Sequence, residues 1–455
     1  MKDFTSGNES KLILQFATPM LLGNVFQQLY NVVDSIVIGH YLGKEALAAV
    51  GASFPFIFLL ISMIIGIASG STIIIAQHFG ARNMDKVRQA IDTLYIFLFF
   101  ASLAVSIIGI SLSGPVFRLI DLPEEAIGPA TVYMNIYIGG IIFAFGFNGI
   151  SAILRGLGDS RTPLYFLVTA TLVNIGLDLL FVVVFHWGIA GVAWATVISQ
   201  AGAFITAVIH LNRTHEVVRL SSLKLKFDRE IFRQSLKIGL PSGLQQSFVS
   251  LGMLALFRIV NIFGTPAAAA YTIAMRIDSF ASMPAMNFAA ALSSFVGQNL
   301  GANKPERVRS GMMATIRMTA IISILVTLVN VIFRHELMLL FTTDTEVIQI
   351  GEDYLLIVSF FYLFFSTMFV VNGTLRGAGD TLIPMFITLF SLWVVRIPLS
   401  WYLSTRIGIT GIWWGIPIAW FFGMSLSYLY YRSGKWRSKA VVKYPNRVSA
   451  EDPER

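Results

Sequence analysis

The sequence predicts an all-α integral membrane protein with about twelve transmembrane helices, arranged as two six-helix lobes related by a pseudo-two-fold axis along the membrane normal. Composition is the first observation. Apolar residues make up 55% of the 455 residues and charged residues only 13%, whereas a soluble domain carries about 25% charged residues. The second observation is that about twelve apolar stretches reach the roughly 20 residues needed to cross a bilayer. No large soluble domain is expected.

The third observation is an internal repeat. The segment QHFGA at 77–81, followed by DKVR at 85–88, returns as QNLGA at 298–302 and ERVR at 306–309. RGLGD at 155–159 returns as RGAGD at 376–380, and both pairs are 221 residues apart (298 − 77 and 376 − 155). Such a repeat predicts a tandem duplication. A membrane protein with two equivalent halves is most often a transporter whose site lies between them.

The apolar spans follow one another along the chain, six in each half. They are predicted at 12–38, 49–78, 90–113, 128–155, 162–186, 189–211, 235–262, 267–297, 310–333, 348–375, 382–405 and 409–431. We therefore expect an N-terminal lobe over 1–212, a basic linker over 213–234, a C-terminal lobe over 235–432 and a basic, mobile cytoplasmic tail over 433–455.

Basic residues set the predicted topology. Most Lys and Arg residues flank alternate loops, and the intervening loops hold only Lys44, Arg118, Arg334 and Arg406. The positive-inside rule then places both termini and the linker in the cytoplasm of a multi-pass protein of the cytoplasmic membrane. This distribution also explains the net charge of +8 without a nucleic-acid partner. Cysteine is absent, which excludes disulfides and thiolate sites.

The repeated motifs are interpreted as structural. Gly80 and Gly301 are predicted to end their helices in a left-handed conformation. The glycines of RGxGD favour a tight turn, and Pro163 and Pro384 suit the start of the next helix. A phosphate-binding loop is the alternative, but the motif lacks a preceding strand and the full glycine fingerprint.

Charged groups within the membrane are costly and mark candidate functional sites. Asp34 and Asp178 lie about five and about eight residues inside the external ends of their spans, which places both in the outer half of the membrane. Thr196 lies at a comparable depth, and Asn174 shares a helix face with Asp178. Two carboxylates, an amide and a hydroxyl predict a proton or sodium site. The alternatives are a helix-end role for Asp34, a structural hydrogen bond for Asp178 and a backbone bond for Thr196.

Pro19 lies about four turns before Asp34 on the first span, with Gly23 just after it. Proline removes a backbone hydrogen bond and permits a kink, so an ion at Asp34 is expected to bend a helix already predisposed to bending. A tolerated kink without a function is the alternative.

The C-terminal half carries a different set of charges. Asp278 is expected to form a structural ion pair with Arg258 or Arg396, because Arg276, two residues away, cannot face it on a helix. A substrate site is the alternative. An adaptable substrate cavity is predicted from aromatic, amide and thioether side chains, which are equally common in bundle cores: Tyr137, Asn148, Gln245, Gln246 and Met253.

These residues together resemble the multidrug and toxic compound extrusion (MATE) family over essentially the whole chain. The resemblance is carried by Val33-Asp34 followed by Gly39, by the paired Gly80/Gly301 and Arg155/Arg376 elements, by the run from Arg276 to Met283-Pro284, and by the GxxGxxW turns at 188–194 and 408–414. It implies two six-helix lobes forming a V in a protein that acts as a monomer, and antiport of amphiphilic organic cations against protons or sodium, with no other cofactor.

The resemblance also implies roles for single residues. Asp34, Asn174, Asp178 and Thr196 match the N-lobe cation site of one branch of the family, and Pro19 matches the kink in its first helix. Other branches use acidic residues on the seventh and tenth helices, where this chain has Gln245 and Gln246 and a tenth helix whose core lacks a carboxylate. An N-lobe site is therefore favoured.

The predicted function is drug export by alternating access, and the protein is not expected to be an enzyme. A flippase for a lipid-linked precursor is the alternative transporter, but it would need a cationic cavity that the N-terminal half does not supply. A metal-dependent intramembrane enzyme would need an acidic pair motif or a His-Glu constellation, and neither is found: the six His lie mainly near span ends, and Glu124-Glu125 lies in an external loop.

Overall fold

A computed structural model describes residues 2–119, 122–214 and 225–444. These residues form helices and no strand. The helices are α1 Glu9–Val37, α2 Gly43–Gly80, α3 Met84–Leu119, α4 Glu124–Gly139, α5 Ile141–Gly156, α6 Arg161–Asp178, α7 Gly188–Thr214, α8 Arg229–Asn261, α9 Thr265–Gly301, α10 Pro305–Ile332, α11 Arg334–Leu339, α12 Thr345–Ser359, α13 Tyr362–Gly377, α14 Leu382–Leu389, α15 Ile397–Ile407 and α16 Ile409–Arg432.

The predicted all-helical membrane fold is confirmed. Eight helical segments in the described ranges are long and apolar enough to cross a membrane, and ten are if α4–α5 and α12–α13 each count as one span. The helices α1 and α9, of 29 and 37 residues, cover the other two predicted spans. Each of the twelve predicted stretches therefore falls on a helix or on consecutive helical segments.

Two predicted spans are not single straight helices. The stretch at 128–155 is α4 and α5 meeting at 49°, and the stretch at 348–375 is α12 and α13 meeting at 51°. At the first bend, a Cβ atom on Gly140 would lie 2.4 Å from the Cγ1 atom of Val197, so the glycine allows α7 to pack tightly there. The second bend, at 360–361, has no glycine. Because both bends occupy corresponding positions of the repeat, the bend belongs to the duplicated fold.

Three short π-helical segments interrupt the α-helices, at Ile38–Leu42, Leu179–Val184 and Phe390–Arg396. The first begins four residues after Asp34, the second directly after Asp178, and the third ends on Arg396. Short π-helical segments are frequently found at functional sites. All three therefore lie next to charged residues singled out from the sequence.

The chain divides into two compact units, each with its own apolar core. Within the described residues, the first takes in Thr18–Gly243, and the second takes in Asp3–Ala17 together with Leu244–Arg455. The N-terminal segment is packed within the second unit: Phe4 is 1% exposed and contacts the rings of Phe16 and Phe295. Glu9 forms a 2.9 Å ion pair with Arg307, in the second copy of the repeated motif.

The prediction that Gly80 and Gly301 adopt left-handed conformations is wrong. Both glycines are the last residues of their helices, and the left-handed residues are Arg82 and Asn303, with φ of 57° and 58°. Each chain reversal is closed by a 6→1 backbone bond, such as Lys304 N–H to the Asn299 carbonyl at 2.8 Å. The reversal therefore comes two residues later than predicted. The predicted tight turn at RGxGD is present, with positive φ at Gly158 and Gly379.

The predicted mobile tail is ordered over residues 433–444. Trp436 is 2% exposed, stacks on Tyr431 at 5.3 Å and donates to its carbonyl oxygen at 2.9 Å. The Tyr444 hydroxyl donates to the Gly301 carbonyl. The buried indole of Trp436 thus holds residues 433–444 in place, although this segment is mostly polar in sequence. Residues 445–455 of the tail, and Arg219 and Lys224 of the linker, lie outside the described residues.

The start of α8 offers a test of local stability. The Asp228 carboxylate accepts from the backbone N–H groups of Ile231 and Glu230 at 3.0 and 2.9 Å and contacts Lys86 at 3.3 Å. These contacts lower the pKa of Asp228 below its usual value. Its stabilisation is therefore present at neutral pH and is lost as pH falls through the lowered pKa. We expect Asp228→Ala to cost about 1 kcal/mol of unfolding free energy.

Thermal unfolding in detergent at pH 7 and in acid measures this effect. Asp228→Asn keeps a capping acceptor without the charge, so it should retain more stability than Asp228→Ala and lose the acid dependence. An Ala variant as stable as the parent protein at pH 7 would contradict the capping role.

Candidate functional site

Two carboxyl groups meet inside the first unit. Asp34 projects from α1 and Asp178 from the last residue of α6, and they are 9% and 0% exposed. The two carboxyl groups lie within hydrogen-bonding reach of each other. The Oδ1 atom of each is buried and has no hydrogen-bond partner among the described residues. The pair therefore has unused acceptor capacity in a place that excludes water.

An amide and a hydroxyl complete the cluster. With the amide of Asn174 oriented to match its neighbours, its nitrogen donates to Asp178 Oδ2 at 3.1 Å and its oxygen accepts from the Thr196 backbone N–H at 3.2 Å. Asn174 and Thr196 are 1% and 2% exposed. The structure therefore brings together the four residues that the sequence placed at a common depth.

The Thr196 hydroxyl forms two contacts. It donates to the Val192 carbonyl at 3.1 Å, which is the backbone bond considered as the alternative from the sequence. Its oxygen also lies 3.1 Å from the Tyr30 hydroxyl. Because a hydroxyl has one proton to donate, Tyr30 is the donor in this second contact. Thr196 thus links α7 to α1 as well as to its own helix.

A group of tyrosines borders the carboxyl pair, and sequence reasoning found only part of it. Tyr30, Tyr133 and Tyr137 lie close enough to Asp34 for electrostatic interaction. The rings of Tyr133 and Tyr137 stack at 6.1 Å, and the Tyr137 hydroxyl lies within hydrogen-bonding reach of Gln200. Tyr137 was predicted as a cavity residue, whereas Tyr30 and Tyr133 were missed. Their spacing of four residues from Asp34 and Tyr137 would have placed them on the same helix faces.

Of the other predicted cavity residues, one belongs to the first unit and three to the second. Asn148 is exposed and donates to the Ala144 carbonyl of its own helix at 2.8 Å. In the second unit, Gln245 donates to the Thr388 hydroxyl at 2.7 Å, Gln246 is exposed, and Met253 is half-buried. Pro19 lies inside α1 and is buried, close to the residue where α1 passes from the second unit to the first.

The second unit contains its own polar cluster, around Asp278. The predicted ion pair is not formed: in the described part of the chain, no Arg nitrogen lies within 4.0 Å of this carboxyl group, and Arg258 is exposed. Asp278 instead lies within hydrogen-bonding reach of the Tyr362 hydroxyl. Asn330 donates to that hydroxyl at 3.4 Å and to the Ser359 hydroxyl at 3.1 Å.

Arg396 supplies positive charge near this cluster without touching Asp278. It is 6% exposed, interacts electrostatically with Asp278, and places its guanidinium 4.0 Å from the Met253 sulfur. The second cluster thus contains its own countercharge, whereas the described residues around Asp34 and Asp178 contribute none to that pair.

The chemistry of the first cluster follows from its donors. Two carboxyl groups in contact share a proton readily, and carboxylate, amide and hydroxyl oxygens are the ligands of a hard cation such as sodium. In the described ranges, no group of three or more His, Cys, Asp or Glu side chains is arranged to hold a metal ion. The arrangement is suited to reversible binding of a single positive charge.

Comparison with known proteins agrees with this fold. A family model described as MatE matches the chain twice, over residues 19–180 and 241–402. The chain is 35% identical to the probable multidrug resistance protein YpnP of Bacillus subtilis (strain 168), over 96% of this chain and 98% of that protein. It is 33% identical to the probable multidrug resistance protein YoeA of the same organism, over 94% of each chain.

Solved structures agree as well. Crystal structures of MATE in the straight and in the bent conformation each superpose with a TM-score of 0.89, at 25% and 26% identity. They cover 95% of this chain and 97% and 96% of the other. The two family matches begin 222 residues apart (241 − 19), close to the 221-residue spacing of the internal repeat. The chain therefore belongs to the MatE family, the multidrug and toxic compound extrusion transporters.

Proposed function

We propose that this protein is a secondary active exporter that moves amphiphilic organic cations out of the cytoplasm in exchange for protons or sodium. The observation that carries the proposal is the buried Asp34–Asp178 pair: Asn174 contacts Asp178 and in turn the backbone N–H of Thr196, so four oxygen-bearing side chains lie together in one unit. Relatives named as multidrug resistance proteins support the substrate class.

The coupling ion binds at the carboxyl pair in this proposal. Direct contact between the two carboxyl groups favours a proton, because one shared proton converts their repulsion into a hydrogen bond. The same donor set suits sodium. The two ions therefore have to be distinguished by supplying them separately.

Ion binding is coupled to movement of α1. Neutralising the pair replaces the repulsion between the two carboxylates with attraction, and α1 then bends at Pro19, where the helix lacks one backbone hydrogen bond. The substrate then leaves outward, and the lobes rock to reload from the cytoplasm. The residues predicted to line the substrate cavity are Tyr137, Asn148, Gln245, Gln246 and Met253.

The proposal includes a location and a state of assembly. Both termini and the linker lie in the cytoplasm, in a multi-pass protein of the cytoplasmic membrane, as the distribution of Lys and Arg predicts. A single copy suffices for ion binding, because α1, α6 and α7 of one chain supply the complete cluster.

Reconstitution into vesicles tests the coupling. Vesicles loaded with ethidium, an amphiphilic organic cation, are given either a proton gradient or a sodium gradient of matched size. We expect one of the two to accelerate ethidium release, and Asp178→Asn to remove that acceleration. Release that is indifferent to both gradients would contradict antiport.

A further inference from the structure

The second unit contains a cavity of about 470 Å³ between α9, α10 and the short helix α11. Its walls are apolar side chains, with Phe280 on α9, Leu325 and Val329 on α10, and Leu340 just after α11. These four are 54%, 57%, 49% and 77% exposed. The cavity is therefore a groove that opens to the surroundings of the unit. For a membrane-spanning helix pair, acyl chains are the natural surroundings of such a groove.

Arg276 is the charged residue that lines this groove in the described ranges. Its side chain is exposed and forms no ion pair with a described carboxylate. Asp278 does not neutralise it, because residues two apart point to different sides of a helix and Asp278 is in contact with Tyr362. The guanidinium of Arg276 is therefore available to bind an anion at the wall of an apolar groove.

One end of the groove lies at the last turn of α10, and Arg276 lies nine residues (276 − 267) inside the predicted span of α9, from where its long side chain can extend toward the headgroups. Val329 and Asn330 belong to the last turn of α10, which ends at Ile332, and Leu337 and Leu340 follow as the chain leaves the span. The Asn330 amide is already used, because it donates to Ser359 and Tyr362. Arg276 thus remains to recognise a headgroup, while the apolar walls extend from it along α9 and α10.

We propose that this groove binds one membrane phospholipid, with an acyl chain between α9 and α10 and its phosphate accepting hydrogen bonds from Arg276. A guanidinium matches a phosphate in charge and in the spacing of its donors, and such charge-assisted bonds are among the strongest in proteins. The apolar walls and the single cation correspond to the two parts of one lipid molecule.

The test titrates delipidated protein in detergent with phosphatidylglycerol and counts bound lipid by native mass spectrometry. We expect one tight site, weakened roughly tenfold by Arg276→Gln through loss of the charged hydrogen bond. Val329→Trp should block the groove and weaken the same site without changing any charge. Val329 is 49% exposed, so the larger ring should not prevent folding.

Arg317→Gln is the matched control, since Arg317 is an exposed arginine on α10 that does not line the groove. Equal lipid binding by the parent protein and Arg276→Gln would overturn the proposal, as would equal losses in Arg276→Gln and Arg317→Gln. Competition by inorganic phosphate alone would show an anion site without a lipid site. Displacement of the lipid by ethidium with an affinity independent of Arg276 would assign the groove to substrate instead.

Discussion

Asp34→Asn is expected to abolish export of organic cations while the protein remains folded in the membrane. Asparagine has nearly the same shape as aspartate, so packing at a side chain that is 9% exposed should be kept. The amide cannot take up a proton and carries no charge for sodium. With the coupling ion lost, efflux should fall to the level of cells that lack the transporter. Efflux of ethidium from energised cells, at matched membrane abundance, measures the effect.

Asp353→Asn is the matched control for this variant. Asp353 is an exposed carboxylate on α12, outside both polar clusters, so its amide variant should export at the parental rate. Because Asp34 and Asp178 act as a pair, the double variant should be no worse than either single variant. Full retention of export by Asp34→Asn would exclude the carboxyl pair as the coupling site.

Most of the fold could be predicted from the sequence because lipid imposes a simple rule. Every backbone group in the membrane has to be satisfied within its own helix, so a long apolar stretch has one available structure. Interruptions of the helices could not be predicted in this way. These interruptions are the bends at 140 and 360 and the π segments beside Asp34, Asp178 and Arg396. They depend on packing against neighbouring helices, and the number of apolar residues in a stretch carries no information about that packing.

The polar cluster around Asp34 and Asp178 was predictable for a different reason. Asp34 and Asp178 stand out because charge is rare in the spans, and helix geometry places Asn174 beside Asp178. Tyr30 and Tyr133 did not stand out, since a tyrosine is common in a membrane helix and its role depends on what lies next to it. Sequence alone located the charges but not the tyrosines that border them.

The two halves also differ in a way that the sequence showed only in part. Tyr133 and Tyr354 are equivalent in the repeat, 221 residues apart (354 − 133), and both are buried beside an aspartate. In the first unit, Asn174 donates to Asp178, whereas in the second unit Arg396 lies near Asp278. A fixed guanidinium occupies the electrostatic role that a mobile cation would fill. The two polar clusters therefore differ in charge: the second has a guanidinium near its carboxyl group, and the described residues around the first supply none.

Gly239→Ala is expected to cause a large loss of stability for so small a substitution. Within the first unit, α2 and the first part of α8 cross at two glycine pairs, Gly66 with Gly70 and Gly239 with Gly243, each spaced by four residues. A Cβ atom on Gly239 would lie 2.4 Å from the Cα atom of Ile67 and 2.6 Å from the Gly66 carbonyl oxygen. Backbone atoms cannot turn aside as a side chain can, so the helices would have to separate.

Separation of these helices removes close van der Waals contact, which is the main attraction between helices that are already in lipid. It also disturbs the 3.1 Å hydrogen bond from the Ser71 hydroxyl to that of Ser235, one turn along α8. We expect a loss on the order of 1–3 kcal/mol, typical of overpacking. The gain of up to about 1 kcal/mol from replacing a helical glycine by alanine should not offset it. Thermal unfolding of the purified protein in detergent measures the difference.

Two further glycines make the measurement decisive. Gly202→Ala on α7 adds a Cβ atom with nothing within 4 Å, so it should leave the melting temperature unchanged or raise it. Gly243→Ala places its Cβ atom 2.9 Å from the Cα atom of Met63 and should fall between the two. That order, Gly202→Ala above Gly243→Ala above Gly239→Ala, follows from contact distance alone. Equal melting temperatures for Gly239→Ala and Gly202→Ala would mean that α2 and α8 are farther apart at their crossing than these Cβ distances indicate. The first part of α8 would then not be held to the first unit by its glycines.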